Sequence, residues 1–464
     1  MTSDINEESI LPNILGNFVN TKIIIEKYLH MKYLKILIIF IQFILNKQCN
    51  KSNNKLINEF NFRRLGKLKC PGYPRLLHLS NYWNNTWLLG GNNGNKVICR
   101  RSTDKGKHWT DPIEISKYPN HICSNVDLFE LPNHDIISSY RAIGNPLSNL
   151  INIKYNRRLC TSISHDGGIT WENLGIIVDN FDLARQLGKT KSLAIKACKK
   201  ENRIGFFEPF IEIINKEITV FYADDFTTMI LEVINKNPID NYRTQNIYSQ
   251  TFNINSKKWK NKRNLIMDGT KKKSPTGSSL KKRISRDGMP VVCKLKNGTY
   301  ILVFEGTYRD SDYPSLTGNK LEEYHWFEIL LSYSLDGLNW SNPVEIYIPK
   351  NNGSKASAPF VLSNDKNQLI ISFQTDEDCI KSGFEGDSYS IMKVMISKPD
   401  IPIQNINNNS FYALCNNNNS PKGGNSIWNG MMIIKNTLYT CSSDNLIKYS
   451  QIPIYKYNNK LINL

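Results

Sequence analysis

One short turn pattern occurs twice in the chain and a third time with one residue fewer, and it constrains the fold most. A serine, an aspartate, a glycine and a tryptophan recur at nearly fixed spacing. An aspartate so placed accepts backbone N–H groups within a tight turn, and the glycine takes a positive φ angle. The pattern predicts a β-hairpin at each copy, with the tryptophan covering its apolar flank. The copies are Ser102, Asp104, Gly106 and Trp109; Ser164, Asp166, Gly168 and Trp171; and Ser334, Asp336, Gly337 and Trp340. A weaker fourth copy spans 256–259.

Six apolar, alternating segments follow polar turns at intervals of roughly 50–80 residues, and this spacing predicts strands. They lie at 86–90, 135–140, 217–222, 299–304, 368–373 and 437–441. Repeated strand groups of this kind are typical of a β-propeller built from four-stranded blades. We therefore predict an all-β fold: one six-bladed, sialidase-like β-propeller with four-stranded antiparallel blades over residues 60–460. Such a ring is usually closed by strands from both chain ends, so we expect 449–457 to pair beside the first blade.

The first 49 residues read as a leader and signal peptide. A basic start at Met31 precedes an apolar run over 36–45, which is too short to span a bilayer. The alternative is an amphipathic or buried helix. Seven Asn-x-Ser/Thr sites, at Asn50, Asn84, Asn297, Asn339, Asn352, Asn408 and Asn418, and ten cysteines fit a secreted glycoprotein with some disulfides. We expect a secreted monomer with no stable membrane span in the mature protein.

The net charge of +18 arises from 59 Lys and Arg against 41 Asp and Glu. Residues 256–286 alone hold 12 of the basic residues and one Asp, which predicts a flexible basic insertion rather than a basic face of the fold. These charges are not interleaved with a series of aromatic residues, as nucleic-acid binding would require, so no nucleic-acid partner is expected. The chain also lacks phosphate loops, nucleotide fingerprints and metal-ligand spacing, so we expect no cofactor and no metal.

Several further stretches carry a family resemblance. They are Gly72-Tyr-Pro-Arg75, Leu131–Arg141, Phe207-Glu208-Pro-Phe, Phe221–Asp225, Ser285–Val292, Phe304-Glu305-Gly306, Ser357-Ala-Pro-Phe and Ser372–Asp378. Together with the turn pattern, known as the Asp box or BNR repeat, they resemble the sialidase superfamily. The chain looks most like the glycoside hydrolase family 93 exo-α-L-arabinanases and their uncharacterised relatives.

The resemblance implies a retaining hydrolase that uses two carboxylates, about 5–5.5 Å apart. Glu208 and Glu305 suit this because each is a single charge in apolar, aromatic surroundings, which favour a raised carboxyl pKa. We expect Glu305 to be the nucleophile and Glu208 the acid/base. The expected substrate-binding residues, which lie in or beside the matched segments, are Arg75, Arg141, Asp287, Arg309 and Tyr73.

Three functions stay open at the level of sequence. The first is hydrolysis of an arabinan-type plant polysaccharide in exo mode. The second is sialidase activity, for which Arg75, Arg141 and Arg309 could bind the substrate carboxylate. The third is a propeller that binds a glycan or a protein without catalysis, because a fold does not fix a function.

Overall fold

A computed structural model of the chain describes most of its residues. The described ranges are 62–69, 72–200, 202, 204–235, 244–253, 256–269, 286–307, 327–349, 354–377, 390–398, 401–413, 426–434, 437–444 and 451–458. The predicted leader over 1–49 lies outside them.

The strands pair into six four-stranded antiparallel sheets. Five of these sheets each use four consecutive strands of the chain. They are β2 (Arg75–His78), β3 (Trp87–Asn93), β4 (Lys96–Ser102) and β5 (Ile113–Glu114); β6 (His121–Glu130), β7 (Ile136–Gly144), β8 (Arg157–Ser164) and β9 (Glu172–Asp179); β10 (Phe206–Ile214), β11 (Glu217–Asp224), β12 (Asn246–Asn253) and β13 (Lys258–Met267); β14 (Gly288–Lys294), β15 (Tyr300–Thr307), β16 (Phe327–Ser334) and β17 (Val344–Tyr347); and β18 (Ala356–Ser363), β19 (Leu369–Thr375), β20 (Ile391–Ser397) and β21 (Phe411–Ala413).

The remaining sheet joins the two ends of the described chain. Its strands are β22 (Ser426–Ile434), β23 (Thr437–Asp444), β24 (Gln451–Asn458) and β1 (Phe62–Lys69). Strand β24 pairs antiparallel with β1, which is the kind of closure that we expected from residues 449–457.

The sheets are the blades of a propeller, as predicted. The first strands of successive sheets contact one another in the order β2, β6, β10, β14, β18 and β22, and β22 also contacts β2. The six segments that the sequence predicted as strands fall in β3, β7, β11, β15, β19 and β23, and each of these is the second strand of its sheet. Their side chains are buried between neighbouring sheets, which explains their strong apolar signal.

The three predicted turns share one hydrogen-bond arrangement. In the first, Ser102 Oγ donates to Asp104 Oδ1 over 2.8 Å and accepts from Gly106 N, while Asp104 Oδ1 accepts from the backbone of His108 at 2.9 Å. The turns at Ser164 and Ser334 repeat these contacts. All three glycines have positive φ, between 71° and 87°. Each turn joins the third and fourth strands of a blade.

The basic stretch over 256–286 differs from the prediction of one flexible insertion. Residues Lys258–Met267 form β13, the outermost strand of its blade, and Trp259 Nε1 donates to Thr161 Oγ1 over 3.1 Å. Lysine-rich exposed positions are common on edge strands, where charge discourages pairing with another chain. The rest of the predicted insertion, over 270–285, lies outside the described residues.

In the described part of the chain, four helices that were not predicted from the sequence occur between strands. They are α1 (Ile151–Lys154), α2 (Asn180–Gln186), α3 (Lys191–Lys200) and α4 (Phe226–Asn235). The Asp179 carboxylate caps α2 by accepting from the backbone N–H groups of Phe181 and Asp182. Short 3-10 helices among the described residues include Asn81–Trp83, Ile403–Asn405 and Asn408–Ser410. Within the described ranges, every helix is too short or too polar to cross a bilayer.

The cysteines in the described ranges are free thiols. All six are buried: Cys99, Cys123, Cys160, Cys293 and Cys441 lie in strands, and Cys198 lies in α3. The disulfides that the sequence analysis considered therefore do not involve these six.

Candidate active site

The inner strands of the propeller share a strained bulge. In β6, β10, β14, β18 and β22 the pairing register shifts by an extra residue, and one non-glycine residue there has a positive φ angle. These residues are Asn125, Glu208, Met289, Ala358 and Trp428. Bulges next to functional sites re-aim side chains, and non-glycine residues hold such angles only where the surroundings impose them.

Proline follows the bulge residue at Glu208, Met289 and Ala358. Proline has no N–H group to donate, so it is tolerated in sheets at edge strands and bulges. The inner strands are edge strands of their blades, since each pairs with one neighbour only. The local sequence thus explains why the chain bulges at Glu208.

Glu208 lies at the bulge of β10 with a φ of 54°. Its Oε2 accepts a hydrogen bond of 2.8 Å from the backbone N–H of Met289, the bulge residue of the next blade. The side chain is partly buried. A carboxylate that projects from one inner strand is therefore fixed by the strained backbone of the next.

Glu305 is held in a similar way from the second strand of its blade. Its Oε2 accepts a 2.8 Å hydrogen bond from the backbone N–H of Ala358, the next bulge residue along the ring, and the residue is 6% exposed. The neighbouring blade has a neutral counterpart in Gln374, whose Oε1 accepts from the Trp428 N–H over 2.7 Å. Glu305 pairs with the residue just before a bulge, as Gln374 does.

The two carboxylates converge beside Gly288. A β-carbon added to this glycine would lie 3.1 Å from Glu305 Oε1 and 3.4 Å from Glu208 Oε2. The two oxygens are therefore at most about 6.5 Å apart, the sum of those distances, which admits the separation that retaining hydrolases use. Glycine leaves open the space that the carboxylates share.

The surroundings of Glu208 raise its pKa above the ordinary glutamate value. Burial is the main cause, and it outweighs the opposing charges of Arg286, Arg141 and Arg75 and the Met289 N–H group. A raised pKa keeps a carboxyl group protonated at a higher pH, which is what a general acid needs.

Arg141 lies at the position of β7 that corresponds to Glu305 in β15, since it too pairs with the residue before a bulge. Its guanidinium group stacks over the ring of Phe207, 4.1 Å from the centroid. Burial lowers the pKa of Arg141 to about 10, and the charges of Asp225 and Glu208 partly oppose this effect. The Arg141 guanidinium group is therefore near enough to Glu208 for their charges to interact.

Asp287 is fully buried next to Gly288, and its backbone N–H donates to the Gln245 carbonyl over 3.0 Å. Its position is therefore beside the two glutamates, in the backbone that leads into β14. Arg309 lies outside the described residues.

Tyr73 and Arg75, which were predicted to bind substrate, are both buried. Tyr73 is 2% exposed, and its hydroxyl donates to Met289 Sδ over 3.8 Å. Arg75 is 4% exposed, its Nη1 donates to the carbonyls of Pro74 and Asn429, and its guanidinium group lies 4.1 Å from the Tyr73 ring centroid. Both residues pack inside the wall of the propeller, where their apolar and carbonyl contacts replace water.

Gln245 is a site residue that the sequence analysis missed. It is fully buried, and its Oε1 lies 3.2 Å from the same Gly288 β-carbon position that the two glutamates approach. It stands just before β12 and outside every recognised motif, so only the fold reveals its place. In the sequence, the feature nearest to Gln245 is the start of strand β12, which does not by itself indicate a functional residue.

Comparisons with solved structures support the fold. The chain is similar to an α-L-arabinanase of Penicillium chrysogenum complexed with arabinobiose, with a TM-score of 0.53 and 17% identity over 87% of this chain and 97% of that one. It is also similar to a family 93 α-L-arabinofuranosidase of Fusarium graminearum with arabinobiose, with a TM-score of 0.50 and 18% identity over 86% and 98%.

A third similar structure is a protein of unknown function from Dyadobacter fermentans, with a TM-score of 0.51 and 10% identity over 86% of this chain and 99% of that one. No protein-family model and no curated protein matches the sequence. At these identities the comparisons show the propeller fold alone.

Proposed function

We propose that this protein is a retaining glycoside hydrolase that acts on arabinan-type polysaccharide in exo mode. The observation that carries the proposal is the convergence of Glu305 Oε1 and Glu208 Oε2 on the space beside Gly288. Two carboxyl groups this close fit a mechanism in which one attacks the sugar directly, because inversion needs room for a water molecule between them.

In this mechanism the Glu305 carboxylate attacks the anomeric carbon while the protonated Glu208 donates its proton to the leaving oxygen. The glycosidic bond breaks and a covalent bond to Glu305 forms. Glu208, now ionised, takes a proton from a water molecule that releases the sugar and restores Glu305. The raised pKa of Glu208 supports its role as the acid.

Arabinan is the substrate class that the similar structures suggest, since two of them contain arabinobiose. The site itself supports a neutral sugar over a sialoside. Of the arginines that could form a carboxylate-binding triad, Arg75 already donates to two backbone carbonyls within the wall.

We also propose that the six sheets form a closed six-bladed propeller of the sialidase type, over 60–460, with Asp-box turns in three blades. The pairing of β24 with β1 supports closure by both chain ends. Export through the segment that begins at Met31, glycosylation and a monomeric state belong to the same proposal. N-terminal sequencing and size-exclusion chromatography of the protein secreted by a eukaryotic host test them.

The direct test is hydrolysis of linear α-1,5-arabinan, with an α-sialoside as the comparison substrate. We expect the wild type to release small arabinosides, and Glu208→Ala and Glu305→Ala each to abolish the release. Cleavage of the sialoside alone would favour the sialidase alternative. Arabinan hydrolysis that survives both substitutions would contradict the proposed site.

A further inference from the structure

The backbone of Gln245 is fixed at the junction of two blades. Its carbonyl oxygen accepts from Asp287 N over 3.0 Å, and the residue forms a parallel bridge with Arg286. These contacts join the segment before β12 to the segment before β14, so the Gln245 side chain has a defined starting point beside the two glutamates.

The Gln245 carboxamide has no hydrogen-bond partner among the residues that the structure describes, at either its nitrogen or its oxygen. Gln250, on the strand that follows, is different: its amide donates to the carbonyls of Ile177 and Lys260 and accepts from Tyr222. An unpaired amide in a fully buried residue is costly, because burial removes the water that would otherwise bind it. Its presence in the site points to a ligand that supplies the missing bonds.

The chemistry of that ligand follows from the neighbours. The amide lies at the Gly288 space together with the carboxyl groups of Glu305 and Glu208. A neutral amide both donates and accepts a hydrogen bond, and a sugar hydroxyl does the same. Hydrogen bonds from protein groups to a hydroxyl next to the reacting carbon strengthen in the transition state of glycoside hydrolysis.

We propose that Gln245 binds a ring hydroxyl of the sugar unit whose glycosidic bond is broken between Glu208 and Glu305, and so determines which sugar is accepted. This inference rests on the proposed function and adds a specificity-determining residue to it. Sites that hydrogen-bond a substrate hydroxyl reject analogues without it, because the buried protein group is then left unpaired.

The test compares Gln245→Leu with Gln250→Leu in the full chain. Because no hydrogen bond of the described protein is lost at Gln245, we expect its variant to keep or raise the melting temperature. Its kcat/KM on linear arabinan should fall about tenfold or more, and its affinity for arabinobiose in calorimetry should fall with it. Gln250→Leu should lower the melting temperature and leave kcat/KM of the folded enzyme unchanged.

A second measurement identifies the hydroxyl. Monodeoxy arabinosides should be poor substrates for the wild type at one ring position, and Gln245→Leu should lose this discrimination. Full activity and unchanged discrimination in Gln245→Leu would overturn the inference and leave the proposed function standing. A wild type that neither binds arabinobiose nor hydrolyses arabinan would contradict the proposed function itself, and the inference with it.

Discussion

The outer turns of this propeller and its inner bulge at Glu208 both combine an acidic side chain with a left-handed backbone position. The two settings shift the pKa of the carboxyl group in opposite directions. In the turns, Asp104 and Asp336 accept several backbone and side-chain hydrogen bonds at the surface, and these bonds lower the carboxyl pKa, led by the N–H of His108 and of Asn339 respectively. At the bulge, burial raises the pKa of Glu208.

The difference teaches how to tell a structural carboxylate from a reactive one. A carboxylate surrounded by N–H donors is stabilised as an anion and has little tendency to exchange protons. Glu208 and Glu305 each accept a backbone N–H hydrogen bond at Oε2, and the oxygens that face the shared space at Gly288 are Glu208 Oε2 and Glu305 Oε1. Substitutions in the turns are therefore expected to change stability, and substitutions at the two glutamates are expected to change catalysis.

The largest effect is expected at Glu305. Glu305→Gln should lower kcat by about 10³-fold or more, because a neutral amide cannot act as the nucleophile. The fold should survive, since Gln374 makes the equivalent hydrogen bond in the next blade. Steady-state kinetics and thermal unfolding check both parts, and a large loss of stability would mean that Glu305 is a structural residue like the turn aspartates.

The second effect concerns the turn glycines. A β-carbon at Gly337 would lie 2.3 Å from Ile214 Cγ2, and the residue has a φ of 71°. Gly337→Ala should therefore lower the free energy of unfolding by about 3 kcal/mol through strain and overpacking together.

Gly298→Ala is the matched control for Gly337→Ala. Gly298 also has a positive φ angle, of 90°, but a β-carbon there would meet nothing within 4 Å. Its cost should be about 1 kcal/mol, from the backbone angle alone. Equal losses in the two variants, measured by denaturant unfolding, would show that the contact with Ile214 is unimportant.

A smaller effect is expected at a turn aspartate. Asp166→Ala removes the acceptor for the N–H groups of Ile169 and Thr170 and for the Ser164 hydroxyl, and should cost about 1–2 kcal/mol of stability. The exposed Asp111→Ala is the control and should be neutral. Arabinan hydrolysis by the folded Asp166 variant should equal that of the wild type. If the Asp166 variant lost catalysis without losing stability, this would contradict the assignment of a purely structural role to the turn aspartates.

The smallest effect is a shift in the pH profile. Arg286 is the largest of the charges that favour ionised Glu208, so Arg286→Gln should raise the pKa of Glu208 further. Because the acid must be protonated, the basic limb of kcat/KM should move to higher pH. Lys96→Gln, in a surface ion pair with Glu114, should leave this limb in place. A shift to lower pH would contradict the assignment of Glu208 as the acid.

The sequence predicted much of the fold because the second strands are buried on both faces and the turn aspartates have a strict spacing. It misassigned Lys258–Met267, since the exposed positions of an outer strand carry lysine and arginine and hide the alternation. The bulges could have been found as well: a proline follows Tyr73, Glu208, Met289 and Ala358, which marks an inner edge strand in four blades.

The candidate site was partly accessible from sequence. Glu208 and Glu305 stood in apolar motifs at strand positions, which is why they could be proposed. The burial of Arg75 could not be predicted, because it depends on contacts such as that with the carbonyl of Asn429, which is distant in the sequence. Gln245 could not be found, because its importance comes from the junction with Asp287, 42 positions further along the chain.

The stereochemistry of the first product tests the central claim most directly. Proton NMR of linear arabinan during the first turnovers reports the anomeric form before it equilibrates. Attack by Glu305 across a short carboxylate separation predicts the α-arabinoside, with the same configuration as the substrate. A β-product, or an α-product formed at an undiminished rate by Glu305→Gln, would contradict the account.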